Sequence, residues 1–433
     1  MKPPQSTPSA WFDASVSDWP ASHVAVLNYA WGRKEFTASD VMANTGLTRA
    51  TSIDVLEVLA DSGLIVELPN AREACPRAGA TAHARVVGQV NAPAAIYRKG
   101  RPARRFSFDA DAGLVVGVDA GCSHLTAIAA DLSGQSVATA HSVAECDPDG
   151  DVCVLGPRRR EQVRSLIAEA VKQAGRDPGD IYAVCVGVPA PVADDGRSPR
   201  HHTGFWQLVN PDLIDELADV GPVVRVENDA LLAAVAEGTV GEARGQGSFV
   251  TLLAGARMGA GVVIDGHLLR GTHGAVGEMN AFDCVEGVGD TFGFGEYAAK
   301  AAAKEIAAGH VDGNGAFGGL APEEVTGRLV FAAIEAGDAD AQAIARDIGR
   351  RLARVVTVLQ SFYDPAMIVV SGAVGPAMLK VIEEARAAMP DSGASIAPDV
   401  VGSRLGAEAV VTGAVAAAVQ MACASALDIA VGK

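Results

Sequence analysis

The sequence has no uninterrupted apolar run of the roughly 18 residues that a membrane-spanning helix needs. The N-terminus, Met1-Lys2-Pro3-Pro4, lacks the apolar core of a signal peptide. None of the seven cysteines belongs to a Cys-x-x-Cys pair, which excludes a zinc ribbon and a thioredoxin-type site. From these absences we expect a cytoplasmic protein in a reducing compartment, with no membrane partner.

Charged residues are sparse, at 20% of the 433 residues, whereas hydrophobic residues reach 49%. This balance excludes an intrinsically disordered chain. The net charge of −17 is unevenly spread, because residues 1–110 hold 12 Lys and Arg against 10 Asp and Glu, and the remaining chain holds 23 against 42. We therefore predict two domains, a basic one at residues 1–110 and an acidic one at residues 111–433, and only the first has the charge to approach nucleic acid.

Turn and capping residues divide the start of the basic domain into three short helices. The first is expected over Ala21–Trp31. Thr37-Ala38-Ser39-Asp40 has the pattern of a capping box and opens the second helix, which stops at Gly46. Thr48 can cap a third helix, which extends through Leu59. This spacing predicts a helix-turn-helix.

Two strand-like segments follow, at residues 64–68 and 104–108, and the long loop between them is basic. Two such strands would form the wing of a winged helix-turn-helix. First-turn residues of the third helix contact base edges in such motifs, and an extended Gly-Arg-Pro segment can place an arginine in the minor groove. The predicted DNA-binding residues are Thr48, Arg49, Thr51, Ser52, Lys99, Arg101 and Arg104. The alternatives are a helical protein-interaction domain and a wing tip that touches only solvent or phosphate.

In the acidic domain, polar residues follow buried strands. The strand that begins at Leu114 ends in the turn Asp119-Ala120-Gly121-Cys122-Ser123, and a second Gly-rich hairpin spans residues 255–266. A strand-turn-strand unit with Asp, Gly and a hydroxyl is how ATPases of the actin and hexokinase type hold phosphate and Mg²⁺. The predicted phosphate-loop residues are Asp119, Gly121, Ser123, Gly255 and Gly259. A third segment places Glu227-Asn228-Asp229 between a strand and an Ala-rich helix.

The order of these motifs, continued by Arg270–Glu278 and Tyr363–Gly372, resembles the ROK family of sugar kinases and sugar-responsive repressors over about residues 113 to 425. An N-terminal winged helix is typical of the repressor branch. The resemblance implies an α/β chain with a two-lobed, actin/hexokinase-like (ribonuclease H-like) ROK domain and a sugar in the cleft between the lobes. It also implies that Asp229 is the catalytic general base of a kinase, and that Asn228, Asp229, Glu278 and Glu296 contact the sugar. The alternative for the Asn-Asp pair is a helix cap, and for the glutamates a surface position.

The sequence departs from the kinase pattern at three places. The family's Asp-x-Gly-Gly-Thr-Lys is replaced by residues 119–124, which end in His124, and Arg257 lies where the family has a Gly-rich turn. At the family's zinc site, Ala281 occupies the place of the histidine and Cys284 is a lone thiol. We therefore predict no metal and no cofactor, with ATP and Mg²⁺ needed only if the protein is a kinase.

The favoured interpretation is a sugar-responsive transcriptional regulator that binds a palindromic double-stranded operator as a homodimer or a dimer of dimers. A long helix expected over Ala341–Leu359 is a candidate dimer face. Two alternatives stay open. One is an ATP-dependent sugar kinase with an accessory DNA-binding head, and the other is a regulator that senses a protein partner instead of a sugar.

Overall fold

A computed structural model describes Trp11 and residues 18–69, 103–144, 150–389 and 397–432. The chain divides into two compact units. The smaller, which we call the head, comprises residues 16–112 and 426–433, and the larger, which we call the body, comprises residues 1–15 and 113–425.

The head contains three helices and a three-stranded antiparallel sheet in the arrangement of a winged helix. Its elements are α1 (Ala21–Ala30), β1 (Phe36–Thr37), α2 (Ala38–Thr45), α3 (Arg49–Asp61), β2 (Ile65–Leu68) and β3 (Arg105–Phe108). The sheet order is β1-β3-β2. The three predicted helices and the two predicted strands are present. The two-residue strand β1 was not predicted, because so short a segment shows no periodicity.

The helix ends of the head follow the predicted caps. The Thr37 side chain accepts from the Asp40 N–H at 3.3 Å, and the Asp40 carboxylate accepts from the Thr37 N–H at 2.8 Å. Gly46 ends α2 with a φ of 71°, a left-handed conformation that favours glycine. Thr48 caps α3 by accepting from the Thr51 N–H at 3.3 Å. These local hydrogen bonds explain why the boundaries could be read from the sequence.

The body contains two five-stranded sheets of identical topology. The first sheet has the order β6-β5-β4-β7-β8 and the second β11-β10-β9-β12-β13. The first half of the body comprises β4 (Leu114–Ala120), β5 (His124–Asp131), β6 (Ser136–Val143), α4 (Val152–Gln173), β7 (Ile181–Val188), α5 (Phe205–Val209), α6 (Leu213–Glu216) and β8 (Val224–Asn228). The second half comprises α7 (Asp229–Thr239), β9 (Phe249–Ala254), β10 (Met258–Ile264), β11 (His267–Leu268), α8 (Phe294–Ala307), α9 (Gly327–Glu335), α10 (Ala339–Tyr363), β12 (Met367–Ser371), α11 (Leu379–Ala388), β13 (Asp399–Gly402) and α12 (Ala409–Gly432).

In each sheet three antiparallel strands are extended by two parallel ones. Two repeated mixed sheets with helical layers are the two lobes of the predicted actin/hexokinase-like fold. The central strands β4, β7 and β9 are buried at every position, which explains their nearly continuous apolar sequences.

Helices α7 and α12 cross between the lobes. Helix α7 follows β8 of the first sheet but packs on β9 and β10 of the second. Helix α12 follows the second sheet and packs on the first, where Gly117 of β4 faces Val415. The two helices touch at Gly413, whose Cβ would lie 1.8 Å from the Leu232 carbonyl oxygen, so only glycine permits this approach. The arrangement brings the end of β4, the start of α7 and the β9–β10 turn to one cleft.

The burial of two long helices, α10 and the 406–432 helix, shows how their apolar faces are covered. The apolar face of α10 packs into the core of its own lobe, with Ala341, Ile348 and Leu359 buried, so this face is not available to a second subunit. The 406–432 helix is the one helix among the described residues that is long and apolar enough to cross a membrane. More than half of its most apolar window is buried inside the protein, as in an interior helix.

Candidate functional site

Three carboxyl groups from separate parts of the body meet in the cleft. Asp119 lies near the end of β4 and is 6% exposed. Asp229 is the first residue of α7, and Glu278 follows β11, where it forms an isolated bridge with Gly259 of β10. The negative charges of Asp119 and Glu278 both raise the pKa of Asp229, so the three groups are electrostatically coupled. The fold therefore brings together residues that are 159 positions apart in the sequence.

Asp229 is the most perturbed of these groups. Its burial raises its pKa, the charge of Asp119 adds to this effect, and Glu278 contributes less. A hydrogen bond from the Ala230 N–H, at 2.8 Å, opposes the shift by stabilising the carboxylate. The resulting pKa is about 8. At neutral pH the group is mainly protonated, so it can donate a hydrogen bond to a ligand oxygen, whereas a general base must first lose this proton.

Glu278 is accessible to solvent, as a ligand-binding group in an open cleft must be. The surrounding protein raises the pKa of this carboxyl by desolvation, and the Arg257 guanidinium acts in the opposite direction. A partly desolvated carboxyl in a cleft is stabilised when it accepts hydrogen bonds from the hydroxyls of a polyol.

Asn228 has a structural role in addition to its predicted sugar contact. Its Oδ1 accepts from the Leu231 N–H at 3.1 Å and caps α7, and its Nδ2 donates to the Ala190 carbonyl at 3.0 Å. Glu296 lies exposed on the first turn of α8 and pairs with Lys300 at 3.4 Å. The predicted sugar contact of Glu296 therefore depends on the resemblance alone.

The first phosphate turn carries its own cation. His124 Nε2 lies 3.4 Å from Asp119 Oδ2, and the Ser123 hydroxyl lies 3.1 Å from His124 Nδ1. The hydrogen bond with Asp119 raises the pKa of His124, against the opposing effect of desolvation. Gly121 lies beside this pair, where a Cβ would be 3.1 Å from the His124 carbonyl oxygen. His124 thus occupies the Asp119 carboxylate, which a kinase would need free to hold a metal-bound phosphate.

The second turn is open but carries an arginine. Gly255 has room for a Cβ, which would lie 3.7 Å from its nearest neighbour, while at Gly259 the nearest atom would be 3.2 Å away. The Arg257 guanidinium donates to Thr291 Oγ1 and lies 5.9 Å from the centre of the Phe292 ring. Arg257 at this turn and His124 on Asp119 are two departures from the predicted phosphate-loop pattern. Among the described residues, no three His, Cys, Asp or Glu side chains are grouped to hold a metal ion.

Two buried ionic groups that were not among the predicted site residues support the cleft. Arg159 of α4 is fully buried and donates to the carbonyls of Val209, Ala120 and Gly121, the last two in the turn after Asp119. Glu227 is also fully buried and pairs with Arg225 at 3.3 Å and with Arg270. The signal for Arg159 was its helical phase, because it lies on the same face as the buried Val163 and Leu166.

The start of α3 presents part of the predicted DNA-binding set. Thr48 and Arg49 are exposed, and the hydroxyls of Thr48 and Thr51 lie 2.9 Å apart. Ser52 is fully buried on the face that also carries Val55. The predicted base contact of Ser52 is therefore wrong, because its side chain packs into the head.

The structure gives Arg104 a bracing role. Its guanidinium binds Glu67 through Nε and Nη2 at 2.9 and 2.8 Å, and it reaches Glu57 of α3 at 3.2 Å. Arg104 thus connects the wing strands to α3, and since its side chain is 42% exposed, its predicted DNA contact stays a prediction. The predicted contacts Lys99 and Arg101 lie outside the described residues.

Comparison with known proteins gives relatives of two kinds. The chain is 31% identical over 228 residues to the bifunctional enzyme NanE/NanK of Brucella suis. The aligned region covers 48% of this chain and 39% of that enzyme. It is 28% identical to the glucokinase of Thermotoga maritima, over 60% of this chain and 88% of that protein. It is 25% identical to the xylose repressor of Caldicellulosiruptor bescii, over 42% of this chain and 45% of that protein. The chain thus spans about two fifths of the length of the NanE/NanK enzyme that it matches.

The fold also matches solved structures. The crystal structure of a ROK family transcriptional regulator, a homologue of the E. coli MLC protein, superposes with a TM-score of 0.68 at 19% identity, covering 95% of this chain and all of that one. The matched region therefore includes the head as well as the body. The model of the ROK family matches residues 115–421, well over half of the sequence. The chain belongs to the ROK family.

Proposed function

We propose that the protein is a sugar-responsive, DNA-binding transcriptional repressor of carbohydrate-related genes that acts in the cytoplasm as a homodimer. The observation that carries this proposal is the combination, in one chain, of a winged-helix head with a ROK body whose cleft gathers three carboxyls. A fold match to a ROK regulator over 95% of the chain and a sequence match to a xylose repressor support it.

The cleft suits a polyol. Asp229 can donate and Glu278 can accept, so the two can bind sugar hydroxyls that would otherwise lose their water partners at a cost of roughly 1 to 3 kcal/mol each. The sugar would regulate DNA binding by favouring one cleft conformation over another. His124 pairs with Asp119 and competes with Mg²⁺ for this carboxylate, so binding without turnover is the expected behaviour.

The proposal is tested by a gel-shift titration on DNA from upstream of the gene, at about 0.15 M salt with random competitor DNA. The titration is repeated with D-glucose, D-xylose and amino sugars, and with the Asp229→Asn variant. Specific binding that one sugar changes in the parent protein and not in Asp229→Asn is the expected result. Specific binding that is indifferent to every sugar would favour a protein partner as the signal, and no specific binding would overturn the DNA-binding role.

A sugar kinase is the second candidate, because Asp229 is retained at the start of α7. A coupled ADP-release assay over hexoses and amino sugars distinguishes it. Turnover that Asp229→Asn abolishes would establish the kinase. We expect none above background.

Arg49→Ala is expected to weaken operator binding by about 1 to 3 kcal/mol while leaving binding to random DNA nearly unchanged. The reason is that Arg49 is exposed at the first position of α3, where such helices read base edges. Competition gel shifts measure both affinities. Lys34→Ala, which removes an exposed cation from the same head, is the matched control. An equal loss on both DNAs in Arg49→Ala would make Arg49 a phosphate contact.

A further inference from the structure

The segment from Met279 to Gly293 connects Glu278 to α8 and contains only a short 3₁₀ turn at Asn280–Cys284. Both of its ends are attached to the β9–β10 hairpin. Ala260 N–H donates to the Gly277 carbonyl at 3.0 Å, just before the segment, and Met258 N–H donates to the Thr291 carbonyl at 2.8 Å near its end. The residues between these two attachments link Glu278 to Thr291, the acceptor for Arg257.

Structural zinc, which the family resemblance implies for this segment, does not fit the residues present. Cys284 is the single thiol, and no other Cys or His occurs between Glu278 and Gly295. A tetrahedral site needs four such ligands. Besides the hydrogen bonds at its ends, the segment has only its 3₁₀ turn as regular structure, which leaves room for a further interaction to fix it.

Arg351 of α10 supplies that interaction. Its side chain is 1% exposed, and its Nη2 donates to the Asp290 carboxylate at 2.5 Å, to the Asp290 carbonyl and to the Phe292 carbonyl at 3.4 Å. Its guanidinium lies 4.2 Å from the centre of the Tyr297 ring in α8. One buried cation thus draws together the 279–293 segment, α8 and α10.

A second contact strengthens this junction. The Tyr297 hydroxyl donates to Asp347 of α10 at 2.5 Å, which fixes the ring beneath the guanidinium. A buried cation that binds three oxygens of residues 290–292 and also lies over a ring of α8 can hold these two parts of the chain together, which is the structural task of a bound metal.

We propose that Arg351 is a positioning residue that takes the place of structural zinc in this chain, fixing the 279–293 segment and thereby the orientation of Glu278 in the cleft. The claim that Arg351 fixes the segment does not depend on the proposed function. Its effect on sugar affinity rests on the proposed function.

The first test is hydrogen–deuterium exchange on the full-length protein. Arg351→Met and Asp290→Ala are expected to speed exchange in the 279–293 segment about tenfold, with β4 peptides unchanged. Asp290→Ala keeps the test decisive if Arg351→Met does not fold, because Asp290 is partly exposed. Arg346→Met removes an exposed arginine elsewhere on α10 and is the control. Exchange in the parent protein should not respond to EDTA or to added zinc.

The second test asks whether Arg351 acts through Glu278. Binding of D-glucose and D-xylose is measured by calorimetry for Arg351→Met, Glu278→Gln and the double variant. We expect Arg351→Met to weaken binding about tenfold in the parent background and much less in the Glu278→Gln background. Equal losses in both backgrounds would overturn the positioning role.

The two tests fail separately. If neither sugar binds the parent protein, the sugar-sensing proposal loses support while the exchange result still decides the role of Arg351. If the 279–293 segment exchanges alike in Arg351→Met, Asp290→Ala and Arg346→Met, or if the protein holds stoichiometric zinc whose removal loosens the segment, the inference is wrong.

Discussion

Asp229→Asn is expected to raise the free energy of unfolding by about 2 to 4 kcal/mol at pH 8 and by about 1 kcal/mol at pH 5. The folded-state pKa of about 8 lies well above the unfolded value near 4. Between these two values the folded protein binds more protons than the unfolded chain, so this group lowers stability as pH rises. Asparagine cannot ionise and removes that slope, and its Oδ1 can still accept from the Ala230 N–H. The solvent-accessible cleft keeps the effect below the full linkage value.

Thermal unfolding at pH 5, 6, 7 and 8 measures this difference for the parent protein and the variant. Glu335→Gln, which neutralises an exposed carboxyl on α9, is the matched control and should show no comparable dependence on pH. A constant offset between Asp229→Asn and the parent over the whole range would show that Asp229 is ionised throughout. It would then bind sugar as an acceptor and be ready to act as a base.

The parts of the fold that could be predicted from the sequence are those that local interactions determine. The capping box of Thr37 and Asp40 and the left-handed Gly46 each act within a few residues. The strands β4, β7 and β9 were predictable because sheets covered on both faces need apolar residues at nearly every position. The convergence of Asp119, Asp229 and Glu278 was predicted only through the order of motifs, since nothing local brings them together.

The errors arise where tertiary contacts decide the role of a side chain. Ser52 is polar and near the start of α3, yet the rotation of the helix buries it. The predicted DNA contact of Arg104 is not contradicted, but its pairing with Glu57 and Glu67 was also hidden from the sequence. A list of exposed polar residues cannot separate these cases, because burial and pairing depend on elements distant in sequence.

The burial of Arg159 and Arg351 was not predicted for the same reason. Charge normally indicates a solvated position, and Arg159 stands between two other arginines in the sequence. In the structure its Nε and Nη2 donate to backbone carbonyls, and because every residue type carries a carbonyl, these acceptors cannot be recognised in the sequence. Its helical phase is the only local sign of burial.

Arg159→Met is expected to lower the free energy of unfolding of the body by about 3 to 5 kcal/mol. The substitution retains part of the buried volume but leaves the carbonyls of Val209, Ala120 and Gly121 without this donor. Arg159→Lys keeps the charge but lacks the several N–H donors of the guanidinium, and it should lose less stability than Arg159→Met. Thermal unfolding of both variants, with the exposed neighbour changed in Arg158→Met as the control, measures the effect.

Because Arg159 holds the turn that follows Asp119, its loss should also be visible at His124. The hydrogen bond to Asp119 raises the pKa of His124, so a displaced turn is expected to return that pKa toward its ordinary value. An NMR titration of the His124 ring proton, assigned with His124→Gln, reports the change while the protein is folded. If Arg159→Met lowers stability but leaves the His124 titration at its parent position, Arg159 supports only the packing of α4. A shift of both would show that this buried cation holds Asp119 in the cleft.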